Sequence, residues 1–450
     1  MFKTVPTWVF LLFLLFGIIF TMLFGWKVKS TVENPTKGGI SGEIALALAQ
    51  FPSTTYSVYQ NIFEEKDEWV RVPAMNADLT EFTEIEQMPG LNISGLVIRA
   101  SKTGLKRAPG WRILVGSFVI DGKFENAALA LSPELKVVKI WHLTENQVPG
   151  ITLRPPHRKF IHGFDVMSDG SAIFSFDGGG SLQRIDNCGS SVWGIAGYFH
   201  HSVTLDDQEQ SVFALFNDGV AQVSTATGEI MRHFTMEDIV AANPDIDILE
   251  IHQIVENDLG GNGKNTSEVW LEDPFHLNDV DPLPAKLADR FDGFDAGDLL
   301  ISARALNLIF VLDPDTLKIK WWRFGATRRQ HDPDWSASGG ITVFDNRMSR
   351  DYSRIVRIDP KSYQTSILYD GRENDFYSRI RGKHQFTETG NLLVTSSQQG
   401  RVFELAPDGT MVLEIINNKP GNDKVNYTIS QALWLNVDDF KFAENTSCQD

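Results

Sequence analysis

The chain has 450 residues, of which 42% are hydrophobic and 22% charged, as in folded proteins and unlike wholly disordered ones. Its net charge of −17 and pI near 5.0 exclude nucleic acid and anionic membrane surfaces as the main partner. An anionic small molecule is still compatible with this charge, provided that its binding site supplies local cations.

The first predicted element is an apolar segment from Val5 to Trp26. It is long enough to cross a bilayer core of about 30 Å as a helix. Trp8 and Trp26 stand near its ends, as interfacial aromatic residues do. A cleaved signal peptide is the alternative, but the run is longer than a signal-peptide core and no small-x-small cleavage site follows. We therefore expect an uncleaved transmembrane signal anchor over residues 1–30.

Between the anchor and the main domain, residues 31–94 are predicted to be a linker and a short stalk, with helical patterns at 43–51 and 58–70. From residue 95 onward, short β-branched and aromatic runs alternate with turns rich in Asp, Gly and Asn, which predicts an all-β domain. We place this domain at 95–437 and a C-terminal tail at 438–450.

The β domain contains six repeat units, and each unit follows the order strand, turn, strand, link, strand, turn, strand. The units begin near Arg112, His162, His201, His276, His331 and His384. Six groups of four antiparallel strands predict a six-bladed β-propeller. A stacked solenoid is the alternative, although its repeats are usually shorter and less dense in strands. Residues 236–270 and 281–297 are expected to form loops or an irregular strand between the third and fourth blades.

Histidines recur at the start of these units. Four of them lie four residues before an apolar residue: His162, His201, His276 and His331, which precede Val166, Leu205, Val280 and Trp335. Alternate residues of a strand share one face, and the first strands of propeller blades line a common channel. We therefore expect these side chains, with His384 facing the same way, to converge. Each histidine could instead simply cap its strand.

Asn278 and Arg304 complete the predicted constellation. Arg304 lies in the segment LLISARALNLIFVLD, and a buried guanidinium there needs an anionic partner that its sequence neighbours do not provide. A bound anion would satisfy it. Three histidines also suit catalytic zinc, but the guanidinium would repel a metal ion, so no metal and no cofactor is predicted.

The residue types favour transfer of an anionic group. Neutral imidazole is a good nucleophile towards sulfuryl or phosphoryl centres, and a covalent intermediate splits one difficult step into two. The non-bridging oxygens need cations and hydrogen-bond donors, while the hydroxyl groups need an acid–base residue. Arg304 would lower the pKa of neighbouring histidines and keep an imidazole neutral.

The blade-opening motifs resemble those of the arylsulfate sulfotransferase family, whose members take sulfate from a phenolic sulfate ester instead of a nucleotide. The similar segments are Gln330-His331-Asp332 with the following GGITVFDN, His276-Leu277-Asn278, and the strand that ends at Arg304. The resemblance extends over about His162 to Ile415. It implies a six-bladed propeller outside the cytoplasm, on the periplasmic side, with a small-molecule sulfate donor and a phenolic hydroxyl acceptor.

The same resemblance assigns roles to residues. His331 would be the nucleophile that forms a sulfohistidine, and His276, Asn278 and Arg304 would hold the sulfuryl group. His201, or its neighbour His200, would assist proton transfer. From their positions on the inner face, His162 and His384 are predicted to bind substrate. The resemblance does not predict a histidine at 384, and the alternative role of His384 is to replace or join the acid–base set.

Two cysteines, Cys188 and Cys448, are too few for a disulfide scaffold. One bridge between them would tie the C-terminal tail to the second repeat unit and would require an oxidising compartment. Two unpaired thiols are the alternative.

Two rival functions are compatible with the same residues. A non-catalytic propeller would bind an anionic glycan, peptide or envelope protein in its channel, and His331→Asn would weaken that binding only modestly. A metal-dependent hydrolase would instead lose activity with a chelator.

Overall fold

The computed structural model of the chain describes residues 6–33, 39–49, 51, 69–71, 82–87, 91–102, 107–144, 160–176, 180–249, 252–256, 266–270, 273–373 and 375–438. The chain divides into two compact units, Met1–Asp67 and Glu68–Asp450, and each is described by itself.

Two helices lie in the described residues of the first unit. Helix α1, Thr7–Glu33, is long and apolar enough to cross a membrane by length and composition. Helix α2, Gly39–Ala49, is shorter and also apolar. A Cβ atom at Gly42 would lie 2.3 Å from Thr31 Oγ1, so glycine permits close packing of the two helices there. Most of the predicted helix at 58–70 lies outside the described residues, and its last two residues belong to a strand.

The second unit is built from strands. Their bounds are β1 Trp69–Arg71, β2 Phe82–Glu84, β3 Ile93–Ser94, β4 Leu96–Ser101, β5 Trp111–Ile120, β6 Lys123–Leu131, β7 Val137–His142, β8 Ile161–Val166, β9 Ala172–Phe176, β10 Gly180–Ile185, β11 Ser191–Gly197, β12 Phe199–Leu205, β13 Ser211–Phe216, β14 Gly219–Ser224, β15 Ile230–Thr235, β16 His252–Glu256, β17 Thr266–Trp270, β18 Leu277–Pro282, β19 Leu299–Ala303, β20 Leu308–Leu312, β21 Ile319–Phe324, β22 His331–Trp335, β23 Ile341–Asp345, β24 Arg354–Ile358, β25 Thr365–Asp370, β26 Lys383–Phe386, β27 Leu392–Ser396, β28 Arg401–Leu405, β29 Met411–Lys419, β30 Asn422–Tyr427 and β31 Ile429–Leu435. Short helices are α3 Met236–Ala242 and α4 Ala285–Ala288, with 3-10 turns at Asp247–Leu249, Arg304–Leu306, Gly371–Glu373 and Ser397–Gln399.

The fold is an all-β propeller. Four antiparallel sheets of four strands follow one another along the chain: β8–β11, β12–β15, β18–β21 and β22–β25. Their second and third strands are mostly buried, and β20 (LIFVL), which is rich in β-branched and large apolar residues, is buried throughout. Their outer strands, such as β15, are mostly exposed. Each blade therefore buries its middle against its neighbours and leaves its outer edge in solvent.

The last strand closes the ring. The first predicted unit supplies three strands, β5–β7, and β31 from the end of the domain pairs antiparallel with β5 to form its innermost strand. Strand β3 also pairs antiparallel with β5, so this sheet has five strands.

The prediction of six separate four-stranded blades was correct only in part. Five separate blades are present in the described residues, while the sixth unit, β26–β29, belongs to an eight-stranded sheet. The reason is the length of β29, which has nine residues and pairs with β28, with β4 and with β30. The region 236–270, predicted as loops or an irregular strand, instead holds α3 and the hairpin β16–β17.

A buried ion pair links the first and last sheets. Arg112 on β5 and Glu404 on β28 are fully buried, and Arg112 Nη2 lies 2.6 Å from Glu404 Oε2. Arg112 also donates to the backbone oxygens of Ala108 and Gly110, and Glu404 Oε1 accepts from the Ala108 amide and from Asn391 Nδ2. This network satisfies two charges that would otherwise be costly to bury.

Glu404→Gln tests this closure. The change leaves Arg112 buried without its counter-charge, so we expect a loss of about 3–5 kcal/mol in the free energy of unfolding. Urea unfolding of the detergent-solubilised chain, followed by tryptophan fluorescence, measures it. Exposed Glu229→Gln is the matched control and should change stability by less than about 0.5 kcal/mol. An equal loss in the free energy of unfolding for the two variants would contradict a stabilising role of the Arg112–Glu404 pair.

Candidate active site

An irregularity recurs at the same point of the inner strands. The pairing of each inner strand with its neighbour shifts register there, at Ile161/Gly163 in β8, His200/Val203 in β12, Leu277/Asp279 in β18, His331/Pro333 in β22 and Ile429/Gln431 in β31. Such a bulge leaves an extra residue unpaired and bends the strand. The extra residues include His162, His201, Asn278 and Asp332. His201 and Asp332 have positive φ angles, 55° and 53°, which side chains other than glycine rarely adopt.

The bulged residues surround one small cavity. Its volume is about 10 Å³, and its lining comprises His162, His201, Asn278, His331, Asp332, Arg381, Gly382, Lys383 and Ser430. Six separate sheets and the loop before β26 contribute to it. A space of this size suits roughly one water molecule.

Four histidines form a contiguous row beside the cavity. The ring centroid of His201 lies 4.2 Å from that of His162, 4.9 Å from that of His200 and 5.2 Å from that of His276. Burial lowers the pKa of His200, and burial followed by the neighbouring imidazoles lowers the pKa of His201 well below its usual value. His200 and His201 are therefore neutral at pH 7.

Hydrogen bonds assign the tautomers in this row. His200 Nε2 lies 2.8 Å from the carbonyl oxygen of Asn217, so Nε2 carries the proton and Nδ1 is an acceptor. His201 Nδ1 lies 2.7 Å from His200 Nδ1 and must be the donor. The Nε2 atom of His201 consequently keeps its lone pair and is able to take up a proton.

The environment of His331 fixes its tautomer in the same way. His331 is only 4% exposed, and its Nδ1 lies 2.7 Å from Asn346 Oδ1. Asn346 Nδ2 donates to the backbone oxygens of Ser378 and Arg381, at 2.8 and 2.5 Å, so Oδ1 is the acceptor. His331 Nδ1 therefore carries the proton, and Nε2 accepts the backbone N–H of Arg381 at 3.1 Å. Burial, then Arg304, hold the pKa of His331 well below its usual value.

Arg304, His276 and Asn278 lie next to this group. Arg304 was predicted within a strand, but β19 ends at Ala303 and Arg304 begins a 3-10 turn. Its backbone N–H donates to the carbonyl oxygen of His276 at 3.1 Å. His276 Nδ1 lies 2.5 Å from Asp273 Oδ2. Asn278 Nδ2 donates to the carbonyl oxygen of Gln330 at 2.8 Å, which leaves Oδ1 buried without a hydrogen-bond partner among the described residues.

The predicted alignment of the histidines was only partly correct. His162 and His201 occupy bulges, His331 precedes one, and His276 precedes β18, so the four positions are not equivalent. They converge nevertheless. His384, expected to face the same way, does not line the small cavity, because β26 pairs with β27 without a bulge and lacks the irregularity of the other strands.

His384 lines a second, larger cavity of about 670 Å³. Five aspartates share its walls: Asp165, Asp279, Asp281, Asp332 and Asp334. Lys383 lines both cavities, and its Nζ lies 2.8 Å from Asp279 Oδ1 and 2.7 Å from Asp332 Oδ1. The channel therefore has a layer of imidazoles followed by a layer of carboxylates.

The carboxylates differ in their protonation. Burial opposes ionisation of Asp332, but the Lys383 ammonium outweighs it and lowers the pKa of Asp332 to about 2. Burial raises the pKa of Asp165 to about 6 and raises the pKa values of Asp281 and Asp334 well above their usual range. Lys383 thus forms ion pairs with only two of the five carboxylates, Asp279 and Asp332.

Sequence reasoning missed several of these residues. The aspartates alternate along the inner strands in NDVDP and HDPDW, which is a detectable signal for one strand face. Arg381 gave no such signal. Its guanidinium carbon lies 3.5 Å from the centroid of the Phe160 ring, and the next residue, Gly382, has a φ of 110° with no space for a Cβ atom beside Phe344. Only the packed structure shows why glycine is needed there.

Cys188 is disulfide-bonded, and the structure has no free cysteine among the described residues. Its predicted partner, Cys448, lies outside the described residues, so the pairing of these two residues stays a prediction.

The fold and the site together define a class of protein: an all-β propeller that contains a buried cluster of neutral histidines. Residues 164–418 match the family described as arylsulfotransferase (ASST), and this match spans more than half of the chain. The chain belongs to the arylsulfotransferase family.

Comparisons with curated proteins and with solved structures do not assign a more specific function to the chain. No curated protein has significant sequence similarity to the chain. Among solved structures, a protein of unknown function from Bacteroides caccae is similar with a TM-score of 0.45 and 12% identity, covering 71% of this chain and 97% of that one. The hydrazine synthase of Kuenenia stuttgartiensis has a TM-score of 0.43 and 10% identity, covering 74% and 98%. TM-scores and sequence identities this low carry no information on the activity of the chain.

The protonation state of His331 is directly measurable. We expect the imidazole to stay neutral, with the proton on Nδ1, at pH values well below 6.5, because burial and Arg304 disfavour the cation. Nitrogen-15 NMR of histidine-labelled protein, with the signal identified by its loss in His331→Asn, measures this.

Arg304→Gln removes a positive charge near His331 and should therefore raise its pKa, although burial keeps it below the ordinary value. Arg232→Gln, on exposed strand β15, is the control and should leave the titration unchanged. A pKa of His331 near 6.5 in the wild type would contradict this description.

Proposed function

We propose that the protein is a membrane-anchored sulfotransferase, which moves a sulfuryl group from a phenolic sulfate ester to a phenolic hydroxyl through a sulfohistidine at His331. The observation that carries the proposal is the buried, neutral imidazole of His331, whose tautomer leaves Nε2 as the nucleophilic atom. Membership of the arylsulfotransferase family supplies the class of reaction. No cofactor is required, since the intermediate forms on the protein itself.

The first half-reaction forms the covalent intermediate. His331 Nε2 attacks sulfur, the new N–S bond forms, and the S–O bond to the aryl group breaks with release of a phenolate. His276, Asn278 and Arg304 hold the non-bridging oxygens, where the charge of Arg304 and the hydrogen-bond donors stabilise the transition state. Loss of the Nδ1 proton of His331 to Asn346 is not needed, because Asn346 Oδ1 only accepts the hydrogen bond.

The second half-reaction transfers the group. The acceptor hydroxyl attacks sulfur, the N–S bond breaks, and the electron pair returns to His331 Nε2. His201 Nε2 takes the hydroxyl proton, since the hydrogen bonds to His200 leave this atom with a lone pair. Release of that proton to solvent balances the proton that the phenolate takes up after the first step.

Substrate entry requires a local movement. The cavity of about 10 Å³ is too small for a sulfuryl group, and His331 Nε2 already accepts the Arg381 N–H. We propose that the Arg381–Gly382 segment moves away when the donor binds. A neighbouring cavity of about 260 Å³, lined by His200 and Phe275, offers room for the aryl ring. His162, next to His201, completes the substrate-binding set.

We further propose that α1 is an uncleaved anchor and that the propeller lies on the periplasmic side. The length and apolar composition of α1 support the anchor, and the disulfide-bonded state of Cys188 is compatible with an oxidising compartment. The proposed boundaries remain 1–30 for the anchor, 31–94 for the linker and stalk, 95–437 for the propeller and 438–450 for the tail.

A second candidate is a propeller that binds an anionic glycan, peptide or envelope protein without turnover. The small cavity and the engaged Nε2 atom of His331 favour it, because neither is arranged for immediate attack on a bound ester.

Intact-mass spectrometry separates the two candidates. Incubation of the detergent-solubilised chain with 4-nitrophenyl sulfate and no acceptor should add one sulfuryl group and release one equivalent of 4-nitrophenol, since the intermediate cannot discharge. Phenol should then remove the adduct.

His331→Asn should abolish both the adduct and the release, because an amide lacks the nucleophilic lone pair. His233→Asn, an exposed histidine on β15, is the matched control and should behave as the wild type. A folded wild-type protein that shows neither adduct nor nitrophenol would favour the binding function.

A further inference from the structure

His384 is held by Asp332 in a way that leaves one nitrogen free. Asp332 Oδ2 accepts the backbone N–H of His384 at 2.5 Å and lies 2.9 Å from its Nδ1. The other oxygen, Oδ1, accepts from Lys383 Nζ at 2.7 Å. An ionised carboxylate only accepts hydrogen bonds, so Nδ1 of His384 carries the proton and Nε2 keeps its lone pair.

The Nε2 atom of His384 is buried without a hydrogen-bond partner among the described residues. The residue is only 5% exposed, and Nε2 lies 3.7 Å from Asp334 Oδ2 on the wall of the 670 Å³ cavity. The lone pair of His384 Nε2 and an ionised Asp334 carboxylate repel each other unless a proton or a metal cation lies between them. A buried, unpaired acceptor of this kind calls for a ligand.

We propose that His384 Nε2 and Asp334 Oδ2 bind a divalent first-row metal ion, such as Zn²⁺ or Mn²⁺. An ion about 2.1 Å from each atom would span the 3.7 Å gap with an angle of roughly 120° at the metal, which suits such ions. The carboxylate of Asp281 lines the same cavity, and water would complete the coordination of the ion. A nitrogen together with carboxylates favours these ions over Mg²⁺ and Ca²⁺, which prefer oxygen alone.

Asp332 acts as the outer support of this site. Histidine ligands of metals usually donate their other ring N–H to a carboxylate, which fixes the tautomer and the ring orientation. The contact between His384 Nδ1 and Asp332 Oδ2 has that arrangement. Asp332 directly follows His331, so an ion at His384 would also stabilise the bulge beside the proposed nucleophile.

The local charges allow a further cation. Lys383 is already balanced by Asp279 and Asp332, which leaves Asp281 and Asp334 without a cationic contact among the described residues. Arg304, whose charge argued against a metal, belongs to the histidine layer and is absent from the lining of this cavity. The sequence prediction was of no metal in the protein, and the proposed site departs from that prediction.

Titration of the chelator-treated, full-length protein with Zn²⁺ or Mn²⁺, followed by calorimetry and elemental analysis, tests the proposal. We expect one equivalent to bind to the wild type. His384→Gln and Asp334→Asn should each weaken this binding at least about tenfold, since loss of even an outer-shell partner costs that much. His142→Gln removes another histidine–carboxylate pair, the exposed contact with Glu125 at 3.2 Å, and should leave it unchanged.

Two results would overturn the proposal. One is a folded wild-type protein that binds no metal, which would mean that a proton between His384 and Asp334 fills the gap. The other is binding that all three variants retain. If a variant does not fold, pulsed electron paramagnetic resonance of the Mn²⁺-loaded wild type decides, because histidine ligation gives a nitrogen-14 coupling and its absence contradicts the site. These outcomes are independent of whether His331 accepts a sulfuryl group.

Discussion

Closure of the ring is the constraint on which the rest of the structure depends. His162, His201, Asn278 and His331 come from four different sheets, so their distances are set by how the sheets surround the axis. The pairing of β31 with β5 and the buried Arg112–Glu404 pair join the two ends of this arrangement. The histidine-bearing strands also contact one another, as the distance of 4.2 Å between the His162 and His201 rings shows, and the site loses its geometry if the ring opens.

Burial has opposite effects on the two layers of the channel. It disfavours the charged form of every ionisable group, which keeps imidazoles neutral and nucleophilic but makes carboxylates costly. Lys383 stands between the layers and compensates the carboxylates of Asp279 and Asp332. In β8, β18 and β22 the bulges separate the layers, since a residue at or beside each bulge lines the small cavity and the aspartates that follow it line the larger one. One backbone irregularity, repeated around the axis, thus yields two chemically different sites.

The sequence sufficed to predict the strands, the propeller class and the convergence of the blade-opening histidines, because hydrophobic alternation and turn residues are local signals. It could not predict the bulges, because they break the two-residue period of a strand. The sequence therefore grouped His384 with the other histidines, whereas in the structure it lines the larger cavity. The role of β31 in closing the first sheet and the extension of β29 into a wider sheet depend on contacts between distant segments. Asn346 and Arg381 define the state of His331 only through backbone positions that no sequence pattern reveals.

The central claim is that His331 Nε2 becomes bonded to sulfur when its contact with the Arg381 amide is broken. A crystal structure of the protein soaked with an aryl sulfate in the absence of an acceptor tests this most directly. The account predicts a sulfuryl group bonded to Nε2, an intact contact between Nδ1 and Asn346, and the Arg381 N–H beyond hydrogen-bonding distance. An ester bound intact elsewhere in the channel, with His331 Nε2 still accepting the Arg381 N–H, would contradict it.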